Sequence, residues 1–355
     1  MAEAADTAKR LARRLGLRFV SDSEPGLKRR RNGGRFAYFH SDGRPVRSDA
    51  VIRRIRSVAI PPAYRDVWIC GRPDGHIQAT ARDARGRKQY RYHPAWERVR
   101  ASIKYRRMLE FGAALPRMRR RVAARLRLKG MSREKVLAAV VRLLETTLIR
   151  VGNGEYAKKN GSYGLTTLTT DHVDVSGATI RFDFRGKSGV SQQVEISHPA
   201  LAGILRDCLE LPGRELFQYL DEDGEPRTVS SADVNAFLHE ISGADFTAKD
   251  YRTWAGSVYA LAELRRRPFA SQREARKHIV ETVRAVTERL GNTPAICRKS
   301  YIHPGLFDAY LAGELGGRTA PRYGGLSGDE AAFLRFLRSG VLRRQPESTK
   351  RRLQP

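Results

Sequence analysis

The chain has 355 residues, 41% of them hydrophobic, and 67 Lys and Arg against 38 Asp and Glu, for a formal charge of +29. That length allows roughly two domains of about 100 to 200 residues each, and the regular spacing of apolar residues excludes a disordered basic polymer. The positive field draws polyanions, with nucleic acid ahead of anionic membrane because no isolated amphipathic anchor is visible; a solvated basic face without a ligand is the alternative.

Residues 1–16 read as a charged lead-in. From Leu17 the chain is β-rich, with alternating segments at Arg35–His40, Asp66–Cys70, His76–Ala81 and Lys88–Tyr92, punctuated by Asp42–Gly43, Asp74–Gly75 and Arg85–Gly86. One helical patch lies around Val51–Val58. This predicts a small antiparallel domain over 17–95. From Trp96 the period becomes helical, with an Arg-rich helix to Leu115, a second from Pro116 to Leu128, and a third over Ser132–Ile149. The third puts Val136, Leu137, Val140, Val141, Leu144 and Leu148 on one face, the pattern of a core helix. Strand character returns between Gly164 and Ile196, in Thr179–Phe184 and Val190–Ile196. After His198 the chain is helical again, broken by an acidic turn at Asp221–Arg227. Ser271 and Glu274 form a capping-box signature before Ile279, Val283, Val286 and Leu290, and that helix ends near Gly291. Residues 316–355 read as a Gly-rich, basic extension, partly disordered. No internal repeat is present.

Cys70, Cys208 and Cys297 are odd in number and far apart, so no disulfide framework is expected and the compartment is reducing. No apolar run approaches the about 20 residues of a membrane span, and the N-terminus lacks an apolar signal core. A soluble, cytoplasmic, nucleoid-associated protein is expected. There is no Walker-type loop and no GxGxxG after a strand, so no nucleotide cofactor is expected. Neither HExxH nor paired CxxC occurs, and no metal is expected. His76, His93 and His172 read as structural or nucleic-acid-facing residues. The acidic turn at Asp221, Asp223 and Glu225 fails the EF-hand spacing.

Breaking a phosphodiester without metal needs cations for the charge growing on non-bridging oxygens, a nucleophile, and an acid for the leaving alkoxide. Arginine's planar fork suits the first role, tyrosine the second, lysine the third. Among 67 basic residues composition cannot choose the set, but context can. Leu148-Ile-Arg150-Val-Gly-Asn153, Phe184-Arg-Gly-Lys187-Ser-Gly, Lys249-Asp-Tyr-Arg252-Thr-Trp and Arg298-Lys-Ser-Tyr301 occur in that order, in helix, sheet, helix and helix contexts. Together they resemble the motifs of type IB DNA topoisomerases, in the smaller branch of poxviruses and bacteria. The likeness extends to Trp68-Ile-Cys70, Gly75-His-Ile-Gln78 and Asp83-Ala-Arg-Gly-Arg-Lys-Gln-Tyr-Arg-Tyr92 and covers about residues 17 to 315. Taken singly, each motif has a plain structural reading: Arg150 as a helix C-cap, Arg252 as a surface cation, Tyr301 as one of 13 tyrosines.

The resemblance implies an α+β protein: a β-rich N-terminal domain and a larger, mostly α catalytic domain over 96–315 with a small three-stranded sheet, forming a clamp on duplex DNA. It implies an isomerase that relaxes supercoils without cofactor, ATP or metal, as a monomer. Tyr301 would attack the scissile phosphate to give a 3′-phosphotyrosyl DNA and a free 5′-hydroxyl. Arg150 and Arg252 would bind phosphate oxygens, and Lys187 would protonate the leaving 5′-oxygen. Nine residues before the tyrosine, poxviral and nuclear relatives carry His, whereas this chain has Asn292, as the bacterial branch does. An amide donates a hydrogen bond but carries no proton charge. In the N-terminal domain Gln89, Tyr90 and Tyr92 would meet bases and backbone, with Arg85, Arg87 and Lys88 on phosphates. Alternation puts the two tyrosines on one face, where packing in the core is the alternative. Two rivals remain: a tyrosine recombinase, which usually carries His where Lys249 stands, and a non-enzymatic basic DNA-binding protein.

Overall fold

The computed structural model describes residues 9–84, 86–316, 321–322 and 324–339, with backbone only at 99–106, 156 and 188. The chain divides into two compact units, Met1–Tyr105 and Arg106–Pro355.

In the first unit, strands β1 (Leu27–Asn32), β2 (Arg35–Phe39), β3 (Arg65–Ile69), β4 (Ile77–Arg82) and β5 (Lys88–Tyr92) form one antiparallel sheet in the order β2-β1-β3-β4-β5. Helix α1 (Asp49–Ser57) covers one face. Its Ile55 joins Leu27, Val46, Val67, Ile69, Ala79 and Ala81 in a buried cluster. Strand β1 was not visible as an alternating segment. Its sequence is LKRRRN with only Leu27 buried, so it is a strand by virtue of pairing with β2 and β3 rather than by its own apolar pattern. The lead-in is tied down as well: Ala12 and Leu17 pack with Trp96.

The second unit is built round α3 (Arg133–Thr147), in which Val136 to Val141, Leu143 and Leu144 are all fully buried. A helix apolar on most of its circumference belongs in the middle of a bundle. A short helix α4 (Gly154–Asn160) follows it in the chain, and around α3 lie α5 (Pro199–Glu210), α6 (Ser231–Ser242) and α7 (Ala248–Arg265). Helices α8 (Gln272–Leu290), α9 (Pro294–Ser300) and α10 (Gly305–Leu311) pack in succession beside α7. Strands β6 (Val173–Ser176), β7 (Thr179–Arg185) and β8 (Ser191–Ser197) make the expected three-stranded antiparallel sheet, with Ile180, Phe182 and Phe184 turned inward. The acidic turn is the loop of a short hairpin between Gln218–Leu220 and Pro226–Thr228.

Two expectations are corrected. The helices expected on either side of Pro116 are one helix, α2 (Pro94–Arg125), with the proline inside it. An internal proline costs about 3 kcal/mol of helix stability, but Met108, Phe111, Leu115, Met118 and Val122 form a single buried stripe across it, and that burial outweighs the break. The stretch taken for a Gly-rich, basic extension contains a packed helix, α11 (Gly328–Arg338), capped by Ser327 and burying Phe333, Leu334 and Leu337. No helix among the described residues is long and apolar enough to cross a membrane.

Candidate active site

The chemistry-bearing residues of the second unit gather where two helices end. Helix α3 stops at Leu148, a non-glycine residue in the left-handed region (φ 57°), held there by its N–H on Leu144 and by its own buried side chain. Helix α8 stops at Gly291 (φ 56°). The last carbonyls of a helix have no partner within it and carry its negative dipole end, so they suit cations. Arg252, in the second turn of α7, uses both: Nη1 donates to the Leu148 carbonyl and Nη2 to the Leu290 carbonyl at 2.5 Å. Arg150 Nη2 donates to the Gly291 carbonyl at 2.8 Å and to Asn292 Oδ1. The Arg150 backbone is itself laced down, its carbonyl accepting from Leu165 N at 2.8 Å and that of Val151 from Thr166 N at 2.7 Å.

Tyr301 caps α9 and lies beside this pair, with the Arg252 Cζ 5.5 Å from its ring centre. Burial, and then the neighbouring Arg150 cation, push the Arg252 pKa down to about 10, while Tyr301 pulls it back up. Burial likewise lowers Arg150, opposed by Tyr301 and Cys297. Arg252 is only 4% exposed, so the surface-cation reading of it is excluded. The buried Arg252 guanidinium and the half-buried Arg150 beside it are poorly solvated and repel one another. Arg252 Nε and Asn292 Nδ2 are also buried donors with no hydrogen-bond partner among the described residues. Each such orphan is worth about 1–3 kcal/mol of lost stability. A tetrahedral oxyanion beside the phenol would relieve both the repulsion and the orphans.

Lys187 sits in the β7–β8 turn, which is closed by Gly186 N on the Val190 carbonyl at 2.8 Å. Gly186 lines a cavity of about 510 Å³ together with Arg150, Tyr163, Gln192, Arg252 and Leu290. The Gln192 side chain fills the space between the backbones of Gly186 and Gly291: a Cβ on either glycine would come within 2.8 or 2.9 Å of it. The lysine side chain itself is exposed, and no described contact ties it to the other four residues. The structure therefore brings Tyr301, Arg150, Arg252 and Asn292 together and leaves Lys187 at the rim. Among the described residues no group of three or more His, Cys, Asp or Glu is placed to hold a metal ion.

In the first unit Tyr90 and Tyr92 stack with ring centres 5.9 Å apart. Tyr90 is 44% exposed, while Tyr92 packs partly against the Trp96 cluster. Strand register puts Lys28, Trp68, Thr80 and Tyr90 in one cross-strand row on the face opposite α1. Gln89, paired with the core residue Ala81, lies on the other face and donates to Asp83. Arg87 is bridged to Asp83 at 2.8 Å and Lys88 to Asp22 at 2.5 Å. Arg85 lies outside the described residues. His76, His93 and His172 each accept a backbone N–H through Nδ1, from Val20, Ala95 and Thr169.

Sequence reasoning missed Gly256 and Ser257. Ser257 Oγ donates to the Tyr301 carbonyl at 3.1 Å, and a Cβ on Gly256 would lie 2.8 Å from the same oxygen. The available signal was a run of small residues, Ala255-Gly256-Ser257, one turn after Arg252 on a helix, which marks a close backbone approach.

A small antiparallel-sheet unit followed by a helical unit in which two arginines meet at a tyrosine makes an α+β protein with a cationic site suited to a phosphate beside a phenol. Comparison with known proteins makes that specific. Residues 94–310 match the family model "Eukaryotic DNA topoisomerase I, catalytic core", and residues 35–83 match "Bacterial DNA topoisomerase IB, N-terminal domain". The chain is 30% identical over 285 residues to DNA topoisomerase 1B of Acanthamoeba polyphaga mimivirus, covering 78% of this chain and 85% of the relative. It is 25% identical over 226 residues to DNA topoisomerase 1B of vaccinia virus (strain Copenhagen), covering 62% of this chain and 68% of the relative. The chain belongs to the type IB DNA topoisomerase family and is an isomerase of that type, in a family that acts on duplex DNA.

Proposed function

We propose that the chain relaxes supercoiled duplex DNA by cutting one strand with Tyr301 and resealing it, as a monomer. The observation that carries this reading is the buried Arg252 guanidinium beside the half-buried Arg150, with unsatisfied donors at Arg252 Nε and on the Asn292 amide at Nδ2, next to the Tyr301 ring. The scissile phosphate occupies that position. Arg150 and Arg252 neutralise its non-bridging oxygens, and Asn292 adds a hydrogen bond that strengthens as charge grows in the transition state. The phenol oxygen gives up its proton to solvent water and bonds to phosphorus as the bond from phosphorus to the 5′-oxygen breaks. Lys187, on its exposed turn, comes to that oxygen with the DNA and supplies the proton. Because the phosphotyrosyl ester keeps the energy of the broken bond, the free 5′-hydroxyl reverses the step, and neither a nucleotide nor a metal is needed. Between the two steps the free end rotates and torsion of either sign is released.

The exposed face of the first unit that carries Lys28, Arg30, Tyr90 and Lys88 meets the duplex in this reading, the cations on phosphates and Tyr90 against bases or sugars. Gln89 then supports the Asp83 turn from the opposite face. The test is relaxation of supercoiled plasmid in EDTA without ATP. The parent protein relaxes it and Tyr301→Phe does not; a gel shift by both with unchanged linking number refutes the proposal, and recombinant products favour a tyrosine recombinase.

A further inference from the structure

We propose that Ser257 is a positioning residue for Tyr301, its hydroxyl clasping the two peptide units that follow the tyrosine. This rests on Tyr301 being the nucleophile. Ser257 is fully buried on α7, the helix that carries Arg252. Its Oγ donates to the Tyr301 carbonyl at 3.1 Å and accepts from His303 N at 2.9 Å. One hydroxyl thus fixes the peptide units that leave the tyrosine in chain order. Tyr301 needs such a hold, because it stands past the end of a seven-residue helix with φ −128° and ψ −12°, outside helical geometry. A segment of that length is not rigid by itself.

Two further contacts make the clasp tight. Gly256 lets α7 come so close that an added Cβ would lie 2.8 Å from the Tyr301 carbonyl oxygen, 3.2 Å from Leu290 Cδ1 and 3.4 Å from Tyr301 Cβ. From the other side the His303 ring meets Phe333 and Phe336 of α11 edge-on, with ring centres 6.3 and 5.7 Å apart. The segment 301–303 is therefore pressed between α7 and α11, with the Ser257 hydroxyl bonding two of its backbone groups. Since Arg252 and Ser257 share one helix, the clasp sets the distance from phenol to guanidinium. Misplacing a nucleophile by about 1 Å is enough to slow a reaction roughly 100-fold.

A serine that merely satisfies buried backbone groups would, when removed, lower stability and the fraction of active protein, and leave the rate constant of that fraction unchanged. Single-turnover cleavage of a suicide duplex at saturating DNA separates the two, because amplitude reads the active fraction and the rate constant reads alignment. Ser257→Ala is expected to cleave roughly 10- to 100-fold more slowly with DNA affinity unchanged, and Ser257→Thr, which keeps the hydroxyl, to recover part of the rate. Gly256→Ala keeps the hydroxyl and displaces the carbonyl instead, so it is expected to slow cleavage too, and it decides the matter should Ser257→Ala not fold. Rate constants within about twofold of the parent, with losses confined to amplitude or melting temperature, overturn the proposal. A parent that forms no covalent adduct, or a Tyr301→Phe variant that still forms one, removes the underlying reading of the site and the clasp's role with it; a normal parent beside unimpaired variants removes the clasp alone.

Discussion

His303 follows the tyrosine by two residues and is 1% exposed, with burial pushing its pKa down to about 4. In an unfolded chain an imidazole titrates near about 6.5. Above that pH both states are neutral and the residue adds no pH dependence. As pH falls, the unfolded chain takes up a proton that the folded chain refuses until about pH 4, so stability is lost across that window. At 1.36 kcal/mol per pH unit, going from pH 7.5 to pH 5 removes about 2 kcal/mol. The control is His303→Asn, whose Oδ1 can replace Nδ1 as acceptor of the Gly305 N–H, now 3.1 Å away. Urea unfolding followed by helical circular dichroism at the two pH values reads the difference. The parent is expected to lose about 2 kcal/mol more than His303→Asn. The Glu330 carboxyl, lowered by Arg119 against the effect of its burial, loses its contribution only at more acidic pH and does not confound this window. If both proteins lose stability in parallel, His303 is not held neutral under α11 and the packing described for residues 301–303 is wrong.

Asn292→Ala removes the buried donor that the proposed mechanism turns to the phosphate and should slow cleavage about 100- to 1,000-fold. Asn292→Asp should be at least as slow, because it adds a negative charge, and Asn292→His should stay within about tenfold of the parent, since a ring N–H can replace the amide; equal rates for Asn and Asp would remove the donor role. Lys187→Ala should slow cleavage of an ordinary phosphodiester about 100- to 10,000-fold yet spare a 5′-bridging phosphorothiolate, whose thiolate leaves unaided; equal losses on both substrates would contradict the acid role. Glu330→Gln should destabilise by about 2 to 3 kcal/mol, because Arg119 loses one of its two buried carboxylates and keeps Glu145. Hydrogen exchange should then quicken first in residues 328–338, and unchanged protection there would show that α11 is held by its apolar face alone.

The candidate site residues stand out in the sequence because they sit in short motifs tied to recognisable elements: the end of α3, the β7–β8 turn, the start of α7 and the end of α9. What holds them does not. The Leu148 and Leu290 carbonyls grip Arg252 across separations of 104 and 38 residues, and no local pattern announces a bond of that kind. The bond from Ser257 to the Tyr301 carbonyl spans 44 residues in the same way, and only the run of small residues around Ser257 hints at it. The apolar periodicity of α3 and of Ile279 to Leu290 was correct because each stripe packs against neighbours along its whole length. Periodicity failed where tertiary context overrides it, at Pro116 inside α2, and where no apolar pattern exists, at β1. Helix α11 was readable from Ser327 and Glu330 as a capping box before an apolar run, but the glycines around it pointed the other way. Alternation correctly put Tyr90 and Tyr92 on one face, yet it could not separate the exposed ring from the half-packed one.

The most direct measurement is the site of covalent attachment. A suicide duplex trapped on the parent protein, digested and analysed by mass spectrometry, should yield a peptide bearing a nucleotide 3′-phosphate on the Tyr301 oxygen, and none from Tyr301→Phe. Attachment to another residue, linkage through a 5′-phosphate, or no adduct under conditions that relax plasmid would contradict a phenol set beside the Arg150 and Arg252 guanidiniums as the agent of strand cleavage.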